Sequence, residues 1–246
     1  LRTPKMVFFH NYNRYWEEIM KYERTDTIID YAHKVIEKAK GSKAMTRYLI
    51  HNIAERYLQS PYMGHDKVYV ELIKAYYETG IADWVSPSDM EKNIERAHKW
   101  ENLLLGKQVP DLACMDSANV WHNTRDCNKD FKILLFWSPG CGHCSVEVPK
   151  YDKFYKEKKD IYSVEIFAIN TESDLEAWKK FIKEKDLQWI NLNGLVANYD
   201  WREYFDVEKT PIMFILDKNN TIVAKNVPAD NIEQIIKAIK EGKFTY

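Results

Sequence analysis

FKILLFWSPGCGHCSVEVP, residues 131–149, decides how the rest of the chain is read. It opens on an apolar run, Phe131 and residues 133–137, that can be buried on both faces as the strands of a mostly parallel sheet are. Ser138-Pro139-Gly140 breaks the run, and Cys141-Gly142-His143-Cys144 follows. A helical pattern containing Pro149 comes next, and the proline predicts a kink there. Helix beginning directly after Cys141 puts that sulfur at a helix N-terminus, where unpaired N–H groups and the macrodipole favour an anion. A thiol so placed ionises more readily, and the thiolate is the nucleophile. Cys144 falls one turn on, close enough to form a short disulfide with Cys141. One exposed sulfur to attack and one shielded sulfur to resolve is what thiol–disulfide exchange requires.

Two other uses of the cysteine pair fit less well. A two-residue gap strains a permanent structural disulfide, and a closed zinc site needs about four ligands; no histidine follows His143. A cationic His143 beside the thiolate would favour the reduced form and make the disulfide a better oxidant; alternatively, His143 is a plain exposed helix residue. Glu147, three residues after Cys144, either faces the sheet and takes the Cys144 proton during resolution, or lies in solvent. Thr210-Pro211 precedes an apolar run and suits a cis bond in a tight turn, or a trans proline opening an edge strand.

Upstream, residues 1–105 read as an all-helical bundle. Tyr12, Tyr15, Trp16, Ile19 and Met20 form one apolar face. A second helix, capped by Thr25 or Asp26, carries Ile28, Ile29, Ala32, Val35, Ile36 and Ala39. A third, capped by Ser42, carries Met45, Tyr48, Leu49, Ile53 and Tyr57. A fourth carries Tyr69, Leu72, Ile73, Tyr76 and Tyr77 and stops at Gly80, and a fifth opens on a Ser88/Glu91 capping box. His33, His51, His65 and His98 scatter over this half without tight pairing and read as surface or core residues.

Residues 106–111 read as the boundary between domains. Residues 106–246 then show an α/β alternation: a strand pair across residues 109–121, the central strand, a strand over 164–170, and a helix opened by Ser173 and Glu176. A short helix over 199–205, a hairpin of strands 212–216 and 221–224, and a helix opened by Asp230 and Glu233 complete it. Cys114 and Cys127 precede the central strand, where they form a structural disulfide or sit reduced in packed positions.

At 246 residues the chain is comfortable for two domains. Its net charge of −1 gives no reason to expect nucleic acid or an anionic membrane as partner. No apolar run approaches the ~20 residues of a membrane-spanning helix. The chain opens at Leu1 rather than Met, so a processed leader or an anchor upstream is expected. Four cysteines are too few for a disulfide scaffold at this length.

On these residues, the second domain resembles a thioredoxin-fold domain of the TlpA/ResA-like branch. Trp137, Cys141, Cys144, Glu147 and Pro149 match that branch's W-x-x-x-C-x-x-C-x-x-E-x-P pattern. The resemblance implies a mixed central sheet flanked by helices and a substrate groove lined by Gly140, Gly142, His143 and a cis-proline loop at Thr210-Pro211. It also makes Glu147 the family's buried acid. Leu135 stands where thioredoxin proper has an aspartate, Gly140 where a tryptophan is usual, and the Gly-His dipeptide is typical of protein disulfide isomerase. Peroxiredoxins share the fold, but Ser138 and Leu134 occupy the positions of their motif's Thr and Pro. The first domain is similar to an uncharacterised helical domain that precedes thioredoxin-like domains in exported Bacteroidetes proteins, on Met63-Gly64-His65-Asp66, Tyr76-Tyr77 and Trp84-Val85. Together these imply an extracytoplasmic oxidoreductase that needs no cofactor, takes the cysteines of exported proteins as substrates and exchanges electrons with a separate redox partner. The rival class is a binding or scaffold protein that works through the helical domain and keeps a vestigial redox site.

Overall fold

The computed structural model describes residues 5–243, which form two compact units divided between Glu101 and Asn102. The first is built from helices α1 (Lys5–Arg14), α2 (Thr25–Lys38), α3 (Lys43–Leu58), α4 (Asp66–Leu72) and α5 (Pro87–Asn102). Trp16, Met20, Ile28, Ile36, Leu49, Ile53, Tyr69, Leu72 and Ala97 fill its core. Ile19 departs from the expected stripe and is exposed. A π-helical turn over Tyr15–Ile19 follows α1, and its wider winding rotates Ile19 off the face that Trp16 and Met20 share. Ser42 caps α3 through the N–H of Met45, as its sequence predicts. Two other caps fall elsewhere. Arg24, without a side-chain bond, precedes α2, while the Thr25 hydroxyl donates to Gly64 O. At α5 the cap is Ser86 rather than Ser88: its Oγ accepts the Asp89 N–H at 3.2 Å and donates to Asp89 Oδ2 at 2.7 Å. Pro87 then takes the first helical position, where its fixed φ costs nothing.

The second unit is a seven-stranded sheet in the order β2-β1-β5-β4-β3-β6-β7. Its strands are β1 (Ala113–Asp116), β2 (Trp121–Asn123), β3 (Phe131–Trp137), β4 (Val164–Asn170), β5 (Ile190–Ala197), β6 (Ile212–Asp217) and β7 (Ile222–Lys225). Strands β3, β4 and β5 are parallel; β1 and β6 join them antiparallel, and β2 and β7 pair antiparallel outside those. Every residue of β3 is buried. Leu134 and Phe136 point into a cluster with Phe167, Leu192, Trp201, Phe205 and Phe214. Trp137 meets Phe181 with ring centres 5.0 Å apart. Helices α6 (Gly142–Tyr162), α7 (Leu175–Lys185), α8 (Trp201–Tyr204) and α9 (Ile232–Lys240) complete the unit. Helix α6 runs through Pro149 and buries Val148, Tyr151, Phe154 and Tyr155.

Residues 106–111 are tied into the second unit, with Gly106 N and Val109 N bonded to the carbonyls of Ile222 and Asn220. Three details differ from the sequence reading. Strand β5 was not expected at all. Asp174, not Ser173, caps α7 through the N–H of Ala177 at 2.9 Å. Glu233 caps nothing at α9: it accepts from Lys158 Nζ at 2.9 Å and from the Tyr162 hydroxyl at 3.0 Å.

Candidate active site

Three loops meet at one end of the sheet, and strand register explains why. Trp137 pairs with Asn170 at the carboxyl ends of β3 and β4, so the segments beginning at Ser138 and Thr171 leave side by side. Phe136 pairs with Ile212 at the start of antiparallel β6, so Thr210 and Pro211 arrive at the same end. The Thr210-Pro211 peptide bond is cis.

Cys141 occupies the N-cap position of α6 in extended conformation (φ −82°, ψ 119°). Its thiol donates to Thr210 O at 3.1 Å. Partial burial alone would push this thiol up, but hydrogen bonding from the Thr210 side chain, from the backbone N–H groups of Cys144 and His143 and from the Cys144 thiol outweighs it, and the result lies below the ordinary thiol value. Cys144 behaves oppositely. It is fully buried, and burial pushes its thiol up to about 12. Both are free thiols here, so the structure is that of the reduced pair.

The remaining candidate residues divide. Gly140, Gly142 and His143, which flank Cys141 in the chain, are exposed; Thr210, bonded to the Cys141 sulfur, and Pro211 after it are half-buried. Glu147 is not a buried acid. Its side chain is 26% exposed and accepts from Lys150 Nζ at 2.6 Å, because Lys150 lies within one helical turn on the same side. Its charge still reaches inward: Glu147 and Cys144 both act on the buried Tyr151, whose phenol is pushed up to about 12, first by burial and then by these two groups. Cys114 and Cys127 are free, not bridged. Cys114 lies wholly buried on β1 with its thiol pushed up to about 12 by burial, and Cys127 packs at the margin of the same apolar cluster. Among the described residues no group of three or more His, Cys, Asp or Glu is arranged to hold a metal ion, and no helix is long and apolar enough to cross a membrane.

One residue at this end of the sheet was not foreseen. A Cβ built on Gly140 would lie 3.2 Å from both carboxylate oxygens of Glu172. Glu172 follows β4 by two residues, and parallel sheets bind ligands at the carboxyl ends of their strands. That rule is the signal that could have drawn attention to it.

Residues 129–222 match the family described as thioredoxin-like. The chain is 30% identical to a domain of a possible thiol-disulfide isomerase from Cytophaga hutchinsonii, covering 57% of this chain and 95% of that one, with a TM-score of 0.53. The chain belongs to the thioredoxin-like family. Its second unit carries the fold and the paired cysteines of a thiol–disulfide oxidoreductase. The thioredoxin-like protein YneN of Bacillus subtilis is 27% identical over 123 residues, 48% of this chain and 68% of its own length. A thioredoxin-like protein from Bacteroides caccae shares the fold over 87% of this chain and 77% of its own, with a TM-score of 0.71 at 16% identity.

Proposed function

We propose that this protein is an extracytoplasmic thiol–disulfide oxidoreductase of the TlpA/ResA-like branch that acts on cysteines of other exported proteins. The opposite ionisation of two neighbouring thiols carries the reading: Cys141 is lowered at a helix N-terminus and Cys144 is raised in the core. The extracytoplasmic setting rests on the sequence pattern around Cys141 and on the helical first domain.

In the reducing direction the Cys141 thiolate attacks one sulfur of a substrate disulfide. That S–S bond breaks, one substrate sulfur leaves as a thiolate and takes a proton, and a mixed disulfide forms at Cys141. Cys144 then loses its proton and attacks the Cys141 sulfur, expelling the second substrate thiolate. Two electrons have passed to the substrate and the enzyme holds the Cys141–Cys144 disulfide; run backwards, the same steps oxidise a substrate dithiol. Glu147, one turn beyond Cys144, is assigned to accept the Cys144 proton. Thr210 O holds the Cys141 thiol until attack, and the exposed backbone of Gly140 and Gly142 leaves the sulfur open to a polypeptide.

The test is turnover of a protein disulfide by the full chain and by Cys141→Ser, together with a glutathione redox titration read by alkylation and peptide mass spectrometry. The substitution abolishes turnover, and the titration gives the direction of work. A pair that oxidises only in strongly oxidising buffer belongs to an oxidase or isomerase; one that stays oxidised in reducing buffer belongs to a reductase that needs a dedicated electron donor. Undiminished turnover by Cys141→Ser would sink this reading and leave a binding role for the helical domain.

A further inference from the structure

The Glu172 carboxylate lies against the backbone of Gly140, the residue directly before the nucleophile. Both of its oxygens are 3.2 Å from where a Cβ at 140 would sit, so it occupies the space a larger side chain there would claim. The segment that presents it is fixed at several points. Buried Asn170 donates to Glu172 O at 2.7 Å and accepts the Glu172 N–H at 3.3 Å. Thr171 bonds Trp137 O through both its N–H and its hydroxyl, and Arg202 Nη2 donates to Thr171 O at 2.9 Å. The carboxylate itself has no hydrogen-bond or ion-pair partner among the described residues. A half-buried carboxylate with no direct ion-pair partner among them, and with the Arg202 guanidinium bonded to the neighbouring Thr171 carbonyl, lies against Gly140, the residue before Cys141.

We propose that Glu172 is a specificity-determining residue: it walls the Gly140 side of the groove and selects substrates whose reactive cysteine is flanked by lysine or arginine. This deepens the oxidoreductase reading and rests on it. A basic side chain entering beside Cys141 finds an acceptor already placed, whereas an acidic one meets like charge without a compensating donor.

The experiment uses the pre-reduced full chain in single turnover, so no outside reductant is involved: the enzyme dithiol becomes a disulfide as the peptide disulfide becomes two thiols. Two disulfide peptides identical except for Lys or Glu beside the cysteine are compared by second-order rate constant. Wild type is expected to prefer the Lys peptide by about twofold to fivefold, the range for a partly exposed charge pair, and to lose that preference as salt is raised. Glu172→Gln brings the ratio to near one by slowing the Lys peptide, Glu172→Lys inverts it, and Glu176→Gln, in the first turn of α7, leaves it as in wild type. Equal wild-type rates, or a preference retained in Glu172→Gln, would overturn the proposal. If neither peptide reacts with wild type, the oxidoreductase reading fails and takes this one with it, a signature distinct from equal rates.

Discussion

Cys141 and Cys144 are separated by two residues, yet their surroundings drive their protons in opposite directions. Cys141 gains backbone donors at the open end of α6, while Cys144, one turn deeper, exchanges water for apolar neighbours. In the reduced protein, therefore, iodoacetamide should modify Cys141 with a pH midpoint below that of a free thiol and leave Cys144 unmodified through pH 9. Peptide mapping after timed alkylation checks this, and equal labelling of the two sulfurs would contradict it. Cys144→Ser should accordingly trap a mixed disulfide at Cys141. The assignment of Glu147 has its own readout. If it takes the Cys144 proton, Glu147→Gln slows resolution of a preformed mixed disulfide by about 10²-fold while the initial attack keeps its rate. Stopped-flow measurement separates the two steps, and an unchanged resolution rate would hand the role to solvent. Lys150, bonded to Glu147, argues for a smaller effect than a buried acid would give, which is why the expected value sits at the low end of the ~10²–10⁴-fold span of general acid–base catalysis.

At the scale of elements, legibility followed side-chain periodicity. Strand β3 buries every residue of its unbroken apolar run, and the stripes of α2 and α3 bury Ile28, Ala32, Ile36, Leu49, Ile53 and Tyr57 while Ile29, Val35, Ala39, Met45 and Tyr48 pack half-buried against them. Strand β5 escaped notice because its sequence, INLNGLVA, puts asparagine and glycine where a strand usually carries branched or aromatic residues. The structure supplies the missing reason. Asn191 is held by the carbonyls of Leu187 and Trp189, and Gly194 is required because a Cβ there would sit 2.4 Å from Asn170 O. Backbone is the obstacle, so Gly194→Ala should cost roughly 1–3 kcal/mol in urea unfolding; it should also disturb Asn170 and the Glu172 segment it holds. Helix caps were legible mostly as a class: a hydroxyl or carboxylate near each start was visible, but apart from Ser42 at α3 the register was not. Ser86→Ala should destabilise the first unit by about 1 kcal/mol, while Ser88→Ala should be near neutral. Thermal melts of the two variants distinguish the observed cap from the one sequence alone favours. The candidate site divided along the same line. The cysteine motif and Thr210-Pro211 are local signals, whereas Glu172 reaches Gly140 only through the register of β3 with β4, which no single segment records.

Across the whole molecule, all four cysteines lie in the second unit, so its stability alone depends on thiol ionisation. Burial pushes Cys114 and Cys144 up to about 12 in the folded protein, while the unfolded chain ionises them near ~8.5. A folded-state value raised above the unfolded one means that the contribution is complete below the unfolded value and is lost as pH climbs towards the folded one. Each such group thus removes about 1.4 kcal/mol of stability per pH unit above ~8.5. Cys141 works the other way. Its folded value is depressed, so its contribution is lost as pH falls through that value, and above ~8.5 it is ionised in both states and adds no slope. The buried phenols, Tyr151 among them at about 12, begin to add their own loss only above ~10. Burial raises the Cys127 thiol as well, so between pH 9 and 10 the thiol slope belongs to Cys114, Cys127 and Cys144, opposed by the Lys132 ammonium that burial lowers. Urea unfolding of the reduced chain across that window should show a loss, and Cys114→Ala should make the slope shallower even though the smaller side chain lowers stability throughout. Oxidising the active pair removes Cys144 from the titration, so Cys114→Ala in the oxidised protein should leave only the Cys127 part of the thiol slope. A slope indifferent to both changes would mean that neither thiol is held protonated by the fold, and the division of labour between Cys141 and Cys144 would lose its physical basis.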